Sequence, residues 1–264
     1  MALDGYTLYL DYMSQPSRAL AIFCRAAGLS PGPVKEQTVF IHKREQRSPE
    51  YLANNPLGKL PLLEQTSGAT SDGQPFRLPE SVAIFSYLTT VYGHLQRKIP
   101  DHWYPQRCPK ARARVESALH WYHTTLRAGC TRLMWNKVVA ARLGMQGSEA
   151  LAQDGLAQLK LCLPQLESVW LPGPGPYLCG NDRPSVADVL FCCELEQLTM
   201  LNNDKHGVDM ASILEPHPRI RQWMRTVAQS VAPHYERVHA VLRKAALASG
   251  GTLSPAQEAP TARL

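Results

Sequence analysis

The chain has 264 residues, of which 44 % are hydrophobic and 19 % charged, a globular composition that excludes a disordered or fibrous class. Its 28 basic and 22 acidic residues leave +6, which admits anionic partners, while no apolar run approaches the ~20 residues of a bilayer span. Seven cysteines, odd in number and without a C-x-x-C pair, fit reduced thiols better than a disulfide framework or a zinc site.

The N-terminus MALDGYTLYLDY lacks the basic and apolar segments of a secretory leader. Residues 6–12, aromatic and β-branched, predict a short strand. Ser14-Gln15-Pro16 opens a helix whose apolar positions Ala19, Ile22, Phe23 and Ala26 recur at helical spacing until Gly28. A second strand is predicted over 34–41, a helical turn from Ser48-Pro49-Glu50, and an apolar strand stub at Leu60-Pro61-Leu62-Leu63. The polar turn Thr66–Pro75 leads to a strand at Phe76-Arg77-Leu78, and Glu80-Ser81 starts a helix burying Val82, Ile84, Phe85 and Leu88. The order is β-α-β-α-β-β-α. After a proline-bearing linker the pattern is helical throughout. Val115, Leu119, Tyr122, Leu126, Cys130 and Leu133 form one stripe, and Leu156, Leu159, Leu163 and Leu166 another that Pro164 is expected to kink. Ser185-Val186-Ala187-Asp188 is a capping box, and two amphipathic helices cover 218–230 and 233–246. The expected divisions are 1–93, a linker at 94–105, a helical unit at 106–247, and a flexible, polar tail at 248–264.

An α/β thioredoxin-like domain with a mixed four-stranded sheet, followed by an all-α domain, resembles the glutathione transferases. Asp11-Tyr12-Met13-Ser14-Gln15-Pro16-Ser17-Arg18-Ala19, Asn55-Pro56-Leu57-Gly58-Lys59-Leu60-Pro61, Glu80-Ser81-Val82-Ala83-Ile84, His102-Trp103-Tyr104-Pro105 and His123-Thr124-Thr125-Leu126-Arg127 carry the resemblance, which is to the theta class and most of all to its plant members.

Ser14 stands between a strand and a helix, where serine is an ordinary N-cap. The resemblance implies that its hydroxyl instead donates to the sulfur of glutathione, favouring the thiolate as a helix N-terminus does. Serine cannot form the mixed disulfide of a thiol–disulfide exchange, which argues against deglutathionylation as the main activity. The same resemblance implies that Gln15, Gln46, Lys59, Leu60, Glu80 and Ser81 hold the tripeptide. Lys59 would face a carboxylate, Leu60 would pair its backbone with the cysteinyl part, and Glu80-Ser81 would take the γ-glutamyl end. Pro61, in the cis form, and the Ser185–Asp188 box are expected to be structural. Trp121, His123 and Arg127 lie on the long helix that would cover the electrophile pocket. Cys192 and Cys193 read as packing thiols.

The implied enzyme joins glutathione to small electrophiles or reduces organic hydroperoxides. It uses glutathione as co-substrate with no other cofactor, binds no metal, and forms a homodimer. A non-catalytic binding or scaffold protein of the same fold is the alternative. The charge surplus lies in 94–264, with ten Lys/Arg and two acids between 97 and 142. Its arginines do not form a compact block with stacking aromatics, so neither nucleic acid nor membrane is an expected partner; steering of anionic glutathione or subunit contact is. The expected location is cytoplasmic, with Ala262-Arg263-Leu264, similar to a peroxisomal S-K-L ending, admitting import.

Overall fold

In the computed structural model, residues 5–66, 73–173 and 175–257 are described. Strands β1 (Tyr6–Leu10), β2 (Val34–Thr38), β3 (Leu62–Gln65) and β4 (Arg77–Pro79) form one sheet in the order β2-β1-β3-β4. β2 runs parallel to β1, whereas β3 and β4 are antiparallel to their neighbours. Alternation along β1 buries Tyr6, Leu8 and Leu10 with the apolar faces of α1 (Gln15–Ala26) and α3 (Ser81–Leu88). On the other side, α2 (Pro49–Asn54) covers the sheet through Tyr51, which packs with Val39 and Leu62. This is the thioredoxin-like arrangement with its mixed four-stranded sheet. β2 ends at Thr38, short of the predicted strand, because Phe40 and Ile41 turn into a 3₁₀ segment whose Ile41 N–H is taken by Asp11 Oδ2 at 2.8 Å.

The second domain is helical. Its long helix runs through α4 (Pro109–Trp121), α5 (Arg127–Met134) and α6 (Ala140–Arg142), with two wide π turns, Tyr122–Leu126 and Trp135–Val139, between them. Every residue of the predicted stripe is buried. α7 (Glu149–Gln165) passes through Pro164 and ends in a further π turn, Leu166–Trp170, where the missing proline N–H relaxes the helix. A Cβ on Gly155 would lie 2.6 Å from the Leu133 nitrogen, so glycine is what lets α7 approach α5 this closely. α8 (Val186–Glu196) is the central helix, buried along its whole length. α9 (Asn203–His206), α10 (Met210–Leu214), α11 (Pro218–Ser230) and α12 (His234–Ala248) follow, with α11 packed on α8, and α10 and α12 on α11.

The residues joining the two domains are packed: the π turn after α3 runs to Leu95, and Ile99, Trp103 and Tyr104 are buried, Trp103 edge-on to Phe23 at 5.4 Å. The segment after α12 is not a flexible tail as far as Gln257. Ser254 is fully buried and its hydroxyl donates to Glu196 Oε1 at 2.5 Å, while the Thr252 N–H reaches the Thr199 carbonyl at 3.0 Å. A buried carboxylate must be hydrogen-bonded, and this polar segment supplies a donor beside the Tyr235 hydroxyl, which reaches the same oxygen at 2.9 Å. Ala262, Arg263 and Leu264 and much of the Thr66–Pro75 turn lie outside the described residues.

Candidate active site

Asp11 builds the turn between β1 and α1. Its Oδ1 accepts the Met13 N–H at 2.8 Å, and its own carbonyl accepts the Ser14 N–H at 2.9 Å. Ser14 then takes the N-cap position with extended backbone (φ −88°, ψ 124°), but its side chain caps no helical N–H. The hydroxyl is thus left for another acceptor at the positive end of a 12-residue helix. Ser14 is 9 % exposed.

A cavity of about 200 Å³ reaches Pro16 in the first turn of α1 and is lined on the same wall by Lys59, Leu60, Pro61, Glu80 and Ser81, whereas Ser14 itself is not among its lining residues. The Leu60–Pro61 bond is cis. The Lys59 carbonyl is held at 2.8 Å by both the Tyr51 hydroxyl and the Asn55 amide, fixing the backbone that leads into the Leu60 edge. Glu80 has φ 70° and ψ 115°, an unusual conformation for a residue with a side chain, at the N-terminus of α3, where Ser81 is buried. Tyr122, His123 and Arg127 of the long helix form the opposite wall. Arg127 and His123 also border an open groove with Thr131, Arg132, Trp135 and Asn136.

Other expected site residues lie elsewhere. Gln46 does not line the cavity; its buried Oε1 has no hydrogen-bond partner and its carbonyl abuts Gly58. The Gln15 amide donates to Glu194 at 3.2 Å. Trp121 does not reach the cavity wall, because its ring packs against Trp170 and Phe191 at centroid distances of 5.7 and 6.0 Å. Asp188 accepts four hydrogen bonds, from the Ser185 N–H and hydroxyl, the Leu178 N–H and the Trp223 indole. It anchors α8 well away from the cavity.

One residue escaped sequence reasoning. Glu194, fully buried, pairs with Arg127 at 2.6 Å and accepts the Tyr122 hydroxyl at 2.6 Å. A single acid inside the apolar run VLFCCEL is its only sequence signal.

The electrostatics follow from these contacts. Burial works against the Arg127 charge, but Glu194 and Tyr122 more than offset it, so the guanidinium stays protonated. Burial, and then the nearby Arg127 charge, lower the His123 pKa, leaving a neutral imidazole at pH 7. Burial and the Glu194 charge push the Tyr122 phenol up, so it remains a donor. Burial likewise raises the thiols of Cys162, Cys179 and Cys193 to about 12. None of these three supplies a thiolate. Among the described residues no cluster of metal-ligating side chains occurs, and no helix is long and apolar enough to cross a membrane.

Family models for the glutathione S-transferase N-terminal and C-terminal domains match residues 8–96 and 118–230. The chain is 37 % identical to glutathione S-transferase T1 of Arabidopsis thaliana, over 90 % of this chain and 89 % of that one. It is 35 % identical to human glutathione S-transferase theta-1, over 91 % and 90 %. Against Arabidopsis glutathione S-transferase T3 the identity is 37 %, and the match spans only 37 % of that longer relative. Among solved structures, apo human glutathione-S-transferase T1-1 superposes with a TM-score of 0.74 at 33 % identity, covering 96 % of this chain and 93 % of that one. Human theta-2, solved with glutathione and an unknown ligand, gives 0.74 at 31 % identity, covering 96 % and 95 %.

Proposed function

The chain belongs to the theta class of the glutathione S-transferases, and from that premise we propose that it activates glutathione through Ser14 and transfers the thiolate to small electrophiles. The observation that carries this reading is a cavity walled by both domains that reaches Pro16 in the first turn of α1, the helix whose N-cap serine hydroxyl caps nothing.

Ser81, with the backbone N–H groups of the first turn of α3, suits the γ-glutamyl carboxylate, and Glu80 suits the ammonium group. Lys59 faces a second carboxylate, and the backbone of Leu60 pairs with the cysteinyl unit. The thiol then lies near the N-terminus of α1. There the Ser14 hydroxyl donates to sulfur and the helix dipole favours negative charge, lowering a thiol pKa that is ~8.5 when free. The thiolate attacks an electrophilic carbon and the leaving group departs with its electron pair. With an organic hydroperoxide it attacks the terminal oxygen, and a second glutathione completes the balance: one hydroperoxide and two thiols yield alcohol, water and glutathione disulfide. Neutral His123 and cationic Arg127 border the face from which the electrophile approaches.

The protein acts as a homodimer in this reading, in the cytoplasm, with peroxisomal import if the C-terminal tripeptide is recognised. Ser14→Ala tests the mechanism. Turnover with cumene hydroperoxide, an aralkyl halide and an aryl chloride should fall about 100-fold or more, while the KM for glutathione stays within about threefold, because Ser14 acts on the sulfur alone. Unchanged turnover would remove Ser14 from the mechanism.

A further inference from the structure

Glu194 is a fully buried carboxylate for which the reaction above has no use. Its two oxygens face different domains. Oε1 accepts the Gln15 amide at 3.2 Å, and Gln15 is the first residue of α1, directly after Ser14. Oε2 accepts the Tyr122 hydroxyl and Arg127 Nη1, both at 2.6 Å, and Tyr122 and Arg127 both line the cavity.

Those last two contacts depend on the wide turn in the long helix. In an unbroken α-helix residues five apart diverge by about 140°, since each step turns about 100°. Tyr122 and Arg127 could not then share one oxygen. Here the Arg127 N–H bonds to the Tyr122 carbonyl, the i to i+5 closure of a π turn, which brings the two side chains onto one face. A π turn at a cavity wall and a buried acid on a neighbouring helix are therefore two parts of one arrangement.

We propose that Glu194 is a positioning residue that sets the Ser14 end of α1 and the Arg127 wall in a fixed relation across the domain boundary. Both partners then bias one event, the approach of the electrophile to a thiolate whose place Ser14 determines. This rests on the reading in which Ser14 activates glutathione.

The test uses the full chain with glutathione and whichever electrophile of the panel reacts fastest. In Glu194→Gln the KM for the electrophile should rise about tenfold, the scale of one charge-assisted hydrogen bond. The pH profile of kcat/KM should shift with it, while the KM for glutathione holds. A second measurement is a cycle of Gln15→Ala, Arg127→Met and the double variant. The two residues have no mutual hydrogen bond and share only the carboxylate. If Glu194 links them, the double variant departs from the product of the single effects by about fivefold or more. Wild-type KM and pH profile in a folded Glu194→Gln, or simple multiplication in the cycle, overturns the proposal. If Glu194→Gln does not fold, the cycle alone decides. Full activity in Ser14→Ala, with these effects present, would instead remove the underlying mechanism and leave the positioning role standing.

Discussion

Glu80 holds φ 70° and ψ 115°, and such a conformation costs a residue with a side chain about 1–3 kcal/mol. The strain falls at the cavity, where a displaced backbone turns Glu80 and the start of α3 toward one space. Glu80→Gly should therefore move two quantities in opposite directions. Glycine releases the strain and raises the melting midpoint by about 2 °C. If Glu80 holds the ammonium group as proposed, the KM for glutathione should rise about tenfold or more with the loss of that charge-assisted contact. Calorimetry and steady-state kinetics on the same preparation check both. Ser81→Ala should raise that KM by a similar factor with no gain in stability. The residue types of this wall were legible in Leu60-Pro61 and Glu80-Ser81, but the backbone angle was not, since nothing in a Pro-Glu-Ser run specifies a positive φ on the glutamate.

Helix α8 shows how a secondary-structure element fixes the site from a distance. Asp188 sits fully buried at its N-terminus, where burial pushes the carboxyl pKa up in spite of four donated hydrogen bonds. Removing the carboxylate by Asp188→Ala leaves those donors without an acceptor. The expected loss is about 3 kcal/mol or more, seen as a midpoint lowered by roughly 6–12 °C in a thermal melt. The Ser185-to-Asp188 box was readable because both members lie within one turn. Glu194 and Glu196 on the same helix were not, because their partners Arg127 and Ser254 stand 67 and 58 residues away in the chain. Apolar spacing likewise located the long helix, whereas its π turns left no mark in that spacing, since the stripe of buried residues runs through them intact. The segment through Ser254 reads as tail for the same reason: its composition is polar, and only the buried acid it meets explains its place.

For the molecule as a whole, the basic stretch between 97 and 142 carries less free charge than its composition suggests. Arg112, Arg127, Arg132 and Lys137 are paired with Glu116, Glu194, Asp154 and Glu149. Acid sensitivity is set inside the structure. His239 is fully buried, and burial, with Arg18 nearby, holds its pKa well below the ordinary imidazole value. The unfolded chain takes up a proton below about pH 6.5 that the folded chain refuses, so stability falls as pH drops through that value, by up to about 1.4 kcal/mol per unit. Melting midpoints between pH 7.5 and 5.5 should therefore decline. His239→Leu should flatten the decline, the remaining slope coming from His102, His123, His206 and His234, which burial lowers in the same direction.

Six of the seven cysteines are buried and one, Cys108 at the start of α4, is exposed. The protein thus carries a ready attachment point for chemical labelling. A thiol-reactive chromophore should take about one equivalent from the native protein and seven after denaturation, provided glutathione is first removed. A spin label or fluorophore could then be placed at one known position without altering any other residue. Between two copies of the chain, such a pair of labels would serve as a ruler.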